Sequence, residues 1–127
     1  MENRRQHYRQ ALDPTQRLKA RFQSPDGTAS FAAEIVNLSI GGMCAVLETT
    51  ATVPDGRWLG VFSLEGRKMQ MTVERVYADD ERPGHCGFRF LPPVDLERKE
   101  ENESTIWKFL LKMQRQERRQ TRQMTGL

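Results

Sequence analysis

Nothing in this 127-residue chain approaches the roughly 18 to 20 consecutive apolar residues that a membrane-crossing helix needs. The first residues are rich in Arg and Gln and have no apolar centre, so they do not read as a secretory signal, and the expected compartment is the cytoplasm. Cysteine is scarce: Cys44 and Cys86 are the two, too few for a disulfide framework, and they are expected to be reduced thiols buried in strands. Histidine is as scarce. His7 and His85 lie far apart, without CxxC or HxxxH spacing, so neither a zinc site nor a Cys–His nucleophile pair is expected. With so little catalytic inventory, the chain reads as a binding protein and not as an enzyme. Aromatic residues make up 8% and are scattered, which argues against a stacking track for a long single strand of nucleic acid.

What is present is charge, unevenly placed. Residues 1–22 hold six Arg/Lys against two Asp/Glu, residues 23–94 six against nine, and residues 95–127 eight against six. A basic surplus of +4 and +2 thus sits at the two ends of a body of −3, for a net +3. So small an excess suits a compact anionic ligand better than a phosphate backbone, which favours a broad basic stripe.

Between the ends, short alternating runs follow one another. "RLKARF" (17–22), "SFAAEIVNL" (30–38), "MCAVLE" (43–48), "RWLGVFSLE" (57–65), "KMQMTVERVYA" (68–78) and "HCGFRFL" (85–91) each place apolar residues at every second position. Turn residues separate them: "SPDG" at 24–27, "SIGG" at 39–42, "VPDG" at 53–56, Gly66, and the acidic "DDERPG" at 79–84. Six short strands with such turns predict a small antiparallel barrel. Met69 and Met71 read as core, and Gly60 and Gly87 as bulges or bends. Pro92-Pro93 stops strand pairing, and from Asp95 the period changes. Ile106, Phe109, Leu110 and Met113 recur at helical spacing, widened by Trp107 and Leu111, with Asp95 or Ser104 as cap. Beyond Met113, Arg115, Arg118, Arg119 and Arg122 share a helical face. The expected organisation is a flexible arginine-rich arm (1–16), a barrel (17–94), and a helix with a basic tail (95–127).

Two stretches carry the functional signal. "RRQHYRQ" (4–10) holds Arg4, Arg5 and Arg9. Arg5 and Arg9 are four apart and share a side whether the arm is extended or helical. Guanidinium groups present paired donors that match phosphate oxygens and the O6/N7 edge of guanine. Alone, such a stretch is an ordinary basic tail. "NLSIGG" (37–42) puts Asn37 and Ser39 two apart at a strand end, where both project to one side, and follows them with Gly41 and Gly42. The glycines permit positive φ and close approach of the backbone to a ligand. Alone, this is an ordinary hairpin turn.

In this order, the pair resembles the PilZ domain family. "RRQHYR" matches its RxxxR element through Arg5 and Arg9, with Arg4 as the preceding arginine, and "NLSIGG" matches [D/N]xSxxG through Asn37, Ser39 and Gly42. The resemblance implies a mainly β fold, a six-stranded antiparallel PilZ-type barrel with a C-terminal helix, that binds the bacterial second messenger cyclic di-GMP. It further implies contacts from Arg5 and Arg9 to phosphates and guanine edges, base-directed hydrogen bonds from Asn37 and Ser39, and an open turn kept by Gly42. Arg4 is placed to reach a second, stacked ligand. Asn37 stands where many members carry Asp, keeping the acceptor oxygen and losing the charge. With no output domain in view, the ligand would act by changing a surface that an unidentified protein partner reads. Two other readings compete: a ligand-independent adaptor of the same fold, and a small basic barrel that binds single-stranded nucleic acid on Tyr8 and Trp58.

Overall fold

A computed structural model describes residues 10–13, 15–48, 56–78, 81–82 and 84–125, with side chains described as far as residue 117. Seven strands and one helix follow in order: β1 (Gln10–Ala11), β2 (Leu18–Gln23), β3 (Ser30–Leu38), β4 (Gly42–Leu47), β5 (Arg57–Leu64), β6 (Arg67–Ala78), β7 (His85–Phe90) and α1 (Leu96–Thr125). All neighbours are antiparallel, in the order β1-β3-β2-β5-β6-β7-β4, and β3 also pairs with β4. That last pairing closes β2–β7 into the six-stranded barrel that the alternation predicts.

The interior follows from the two-residue period. Phe22, Ile35, Leu38, Leu64, Met69 and Val73 are almost wholly buried. The rings of Phe22 and Phe88 stack with centroids 4.4 Å apart. Met71, Cys86, Phe88 and Phe90 complete that lining, as expected of the methionines and of the last strand. The Glu65-Gly66 connection between β5 and β6 has φ of 51° and 80° at its two residues, the doubly positive pattern of a tight two-residue hairpin.

Three expectations are corrected. Gly60 and Gly87 are not bulges: both pair in register, Gly60 with Phe22 and Met71, Gly87 with Cys44 and Tyr77. The register shifts instead at Val36 in β3, between Ile35 and Asn37, and at Val76 in β6, between Arg75 and Tyr77. Gly87 makes room for the Tyr77 ring, whereas a Cβ at Gly60 would only come into contact with Phe22 at 3.4 Å. Trp58 is not available for stacking with a nucleic acid base. It is 5% exposed and packs edge-on against Phe31 at 5.2 Å. Ser104 lies inside α1, whereas Asp95 caps it: its Oδ1 accepts the Glu97 N–H at 3.0 Å.

Helix α1 packs on the barrel through Ile106, Phe109, Leu110 and Met113, the stripe read from the spacing. Burying each such side chain contributes roughly 1.5 to 3 kcal/mol, and it is this face that ties the helix down. Polar contacts fix its rotation. Lys112 reaches Glu65 at 3.0 Å, Arg67 donates to Thr105 at 3.0 Å, and Gln10 Nε2 donates to Glu117 at 3.3 Å.

Strand β1 was not legible in the sequence. Its two residues pair with β3 (Gln10 with Leu38, Ala11 with Asn37), the Leu12 N–H donates to the Val36 carbonyl at 2.9 Å, and Leu12 is 5% exposed in the core. Residues 10–12, counted with the arm on sequence grounds, are thereby tied to the barrel.

Candidate functional site

Strand β1 pairs with the end of β3 that leads into the Asn37–Gly42 turn. The two strands run antiparallel, with Ala11 opposite Asn37 and Gln10 opposite Leu38. Arg9 immediately precedes Gln10 in the sequence. Arg4, Arg5 and Arg9, with His7 and Tyr8, lie outside the described residues.

The turn is held by its own side chains. Asn37 follows the bulge at Val36, and its Oδ1 accepts the Cys44 N–H at 3.2 Å. Its NH₂ group has no partner among the described residues and remains available as a donor. Ser39 is 4% exposed and committed to the turn. Its hydroxyl accepts the Gly42 N–H at 3.1 Å and donates to the Gly42 carbonyl at 3.2 Å, which also accepts the Ser39 N–H at 2.9 Å. In this arrangement Ser39 shapes the turn, while Asn37 presents a group outward.

Gly41 and Gly42 do not use the positive φ that glycine permits: among the described residues the positive-φ glycines are Gly27, Gly56, Gly66 and Gly84. Gly42 is required for space: a Cβ there would lie 2.2 Å from the Phe88 carbonyl oxygen and 3.3 Å from Arg89 Cα. Gly41 contributes its carbonyl, which accepts the Phe90 N–H at 2.9 Å. Ile40 and Gly41 also line a cavity of about 160 Å³ against Phe90, Leu91 and the buried Asn102 of α1. The turn is thus pinned by β7 on one side and faces the helix across that cavity.

The register places a row of residues on the outer face beside the turn. Asn37 pairs with Cys44, Cys44 with Gly87, and Gly87 with Tyr77, and residues directly opposite in such pairs share a face. The Tyr77 ring lies over Gly87, where a Cβ would collide with it at 2.2 Å, and its hydroxyl meets Cys44 Sγ at 2.9 Å. Two positions along β7, Arg89 is on the same face and binds Glu74 of β6 at 2.7 Å. Sequence reasoning missed Cys44, Tyr77, Gly87 and Arg89 as neighbours of the motif. The two-residue period places each on the outer face, but adjacency across four strands depends on two bulges that no local pattern announces.

Among the described residues, no group of three or more His, Cys, Asp or Glu is placed to hold a metal ion. None of the described helices is long and apolar enough to cross a membrane.

A family model described as PilZ domain matches residues 3–112. The chain is similar to the solved PilZ domain of YcgR with c-di-GMP from Escherichia coli, at 16% identity and a TM-score of 0.67, over 90% of this chain and 94% of that one. It is similar also to the PilZ domain of CeSA from a cellulose-synthesizing bacterium, at 14% identity and TM-score 0.63, over 80% of this chain and 96% of that one. A third likeness is to the Bacillus subtilis inhibitor of motility MotI/DgrA, at 13% identity and TM-score 0.54, over 84% of this chain and 48% of that one. At these identities the likeness is one of fold. No curated protein matches the chain.

Proposed function

The chain belongs to the PilZ domain family, and from that premise we propose that it is a receptor for cyclic di-GMP which alters a surface read by a partner protein. The observation that supports this reading is the pairing of β1, which directly follows the arginine motif in the sequence, with the Asn37–Leu38 end of β3. Arg5 and Arg9 then supply the paired donors that a dianionic ligand requires, and Asn37 supplies an outward amide. The solved YcgR domain, which shares the fold over 90% of this chain, contains c-di-GMP. Arg4 stands beside the pair and is assigned to a second ligand molecule.

A route from the site to a partner is built into the same strand. Gln10 donates to Glu117 of α1, so a ligand that draws residues 4–9 against the turn acts on a segment already bonded to the helix. The helix, with Arg115 exposed on it, is the surface assigned to the partner. Binding of single-stranded nucleic acid is disfavoured, because Trp58, one of the two platforms it needs, is buried.

Calorimetric titration with cyclic di-GMP, GTP and a short oligonucleotide tests the reading. Saturable binding of cyclic di-GMP alone is the expected result. A charge-assisted hydrogen bond contributes roughly 1.5 to 3 kcal/mol, so Arg5→Ala and Arg9→Ala should each weaken binding about ten- to a hundredfold. Wild-type affinity in both variants would overturn the assignment of the site to the arginine motif, and absence of binding by the wild type would return the chain to the ligand-independent adaptors.

A further inference from the structure

The arginine on β7 stands where the ligand of the proposed site would extend. Arg89 follows Gly87 by two residues, and Gly87 is in register with Cys44, which is itself in register with Asn37. Arg89 therefore shares the outer face with Asn37, two strands across and one pleat repeat along, about 12 Å away by the spacing of sheets. A cyclic dinucleotide and an arginine side chain together span that distance. The displacement runs toward the Ser39–Gly42 turn, since Gly42 pairs with Arg89. Arg89 is 60% exposed at its side chain, and its guanidinium is held by Glu74 at 2.7 Å. Glu74, at 36%, is in turn in register with Arg57.

We propose that Arg89 is a further ligand-binding residue of this site, donating to a phosphate oxygen of the cyclic dinucleotide, and that Glu74 competes with the ligand for it. The proposal rests on the reading of the site as a receptor for cyclic di-GMP. Chemically, Glu74 is a resident anion. Its bond to Nη2 holds the guanidinium along the outer face and neutralises part of its charge, so a phosphate competes with Glu74 for the orientation and charge of the group, although other N–H donors remain. Arg89 thus gives less affinity than a free arginine would, and the pair tunes the concentration at which the receptor fills. An exposed pair of this kind is weak, so the tuning is modest.

The sign of the Glu74 effect separates this from an ordinary cross-strand pair. Titration of the full chain with cyclic di-GMP is to be repeated for Arg89→Gln, Glu74→Gln, the double variant and Arg57→Gln, each with a thermal melt as a folding control. Arg89→Gln is expected to weaken binding about three- to tenfold, and Glu74→Gln to tighten it about two- to fivefold. In the Arg89→Gln background, Glu74→Gln should have no further effect, and Arg57→Gln should leave affinity unchanged. Equal tightening by Glu74→Gln with and without Arg89 would reduce Glu74 to a general field effect and overturn the competition. Wild-type affinity in a folded Arg89→Gln would overturn the contact while leaving the receptor reading intact, and absence of binding by the wild type would overturn both.

Discussion

Between β2 and β3 the chain turns through Ser24–Ala29 in open solvent, whereas between β3 and β4 it turns through Ser39–Gly42 against strand β7. Both use serine and glycine, the first with Asp26 inside it and the second with Asn37 on the strand that leads into it. In the exposed turn every requirement is met locally. Asp26 Oδ1 accepts from the Ser24 hydroxyl at 2.7 Å, the Thr28 hydroxyl at 2.7 Å and the Thr28 N–H at 3.0 Å, and Gly27 adopts a φ of 75°. Its glycine is there for a backbone angle, with the nearest atom a flexible Gln23 Nε2 at 3.5 Å from a Cβ. In the buried turn the serine hydroxyl does the work of Asp26, and the glycine has an ordinary φ. What forbids a side chain at Gly42 is a carbonyl from Phe88, on another strand. The same residue type thus answers to a dihedral in one turn and to crowding in the other. The turn assigned to the ligand is the one whose shape the rest of the barrel imposes.

The largest expected effect that tests this contrast is Gly42→Ala. A methyl group forced against backbone must move β4 or β7, and we expect a loss of about 3 kcal/mol, the upper range for overpacking, measured by denaturant unfolding. A variant that keeps its stability and loses only ligand affinity would show that Gly42 serves ligand approach instead.

A smaller loss is expected at the exposed turn. Gly27→Ala should cost about 1 kcal/mol through its left-handed backbone alone, and Gly27→Asn less, because asparagine tolerates that region. At Gly42, asparagine should be no better than alanine. Equal tolerance of asparagine at both sites would erase the distinction between angle and space.

The smallest effect is one of pH. The hydrogen bonds from Ser24, then from the Thr28 N–H and hydroxyl, push the Asp26 carboxyl from 3.8 down to about 2. A carboxyl lowered by folding contributes stability that is complete above its unfolded value and is lost as the pH falls through the folded one. Asp26→Asn should therefore be less stable than wild type near neutrality, with the gap in melting temperature closing as the pH drops from 3.8 toward about 2. A gap that stays constant over that range would mean that the charge of Asp26 is not what holds the turn.

The six barrel strands, the tight connection at Gly66 and the helix stripe at Ile106, Phe109, Leu110 and Met113 were all determined by the sequence alone, though Glu65, read as the end of a strand, belongs to the turn. Each rests on relations between residues two to four apart: alternation, a pair of turn residues, one face of a helix. Membership of the family was also legible, from Arg5 and Arg9 together with Asn37, Ser39 and Gly42 as a sequence pattern. Tertiary structure decided the rest. Strand β1 has two residues and no period to read, and it exists because β3 offers an edge at Asn37 and Leu38 and the core has room for Leu12. The bulges at Val36 and Val76 fall on ordinary alternating runs, and they settle which outer-face residues become neighbours. Trp58 looks like a platform until Phe31 covers it, and Arg89 looks like any strand arginine until closure of the barrel sets it between Gly42 and Glu74. Local sequence carries each residue's face. Which residues stand beside it on that face is set by register between strands whose paired residues are as much as 47 positions apart, as Gly42 and Arg89 are, and that depends on how the whole core packs.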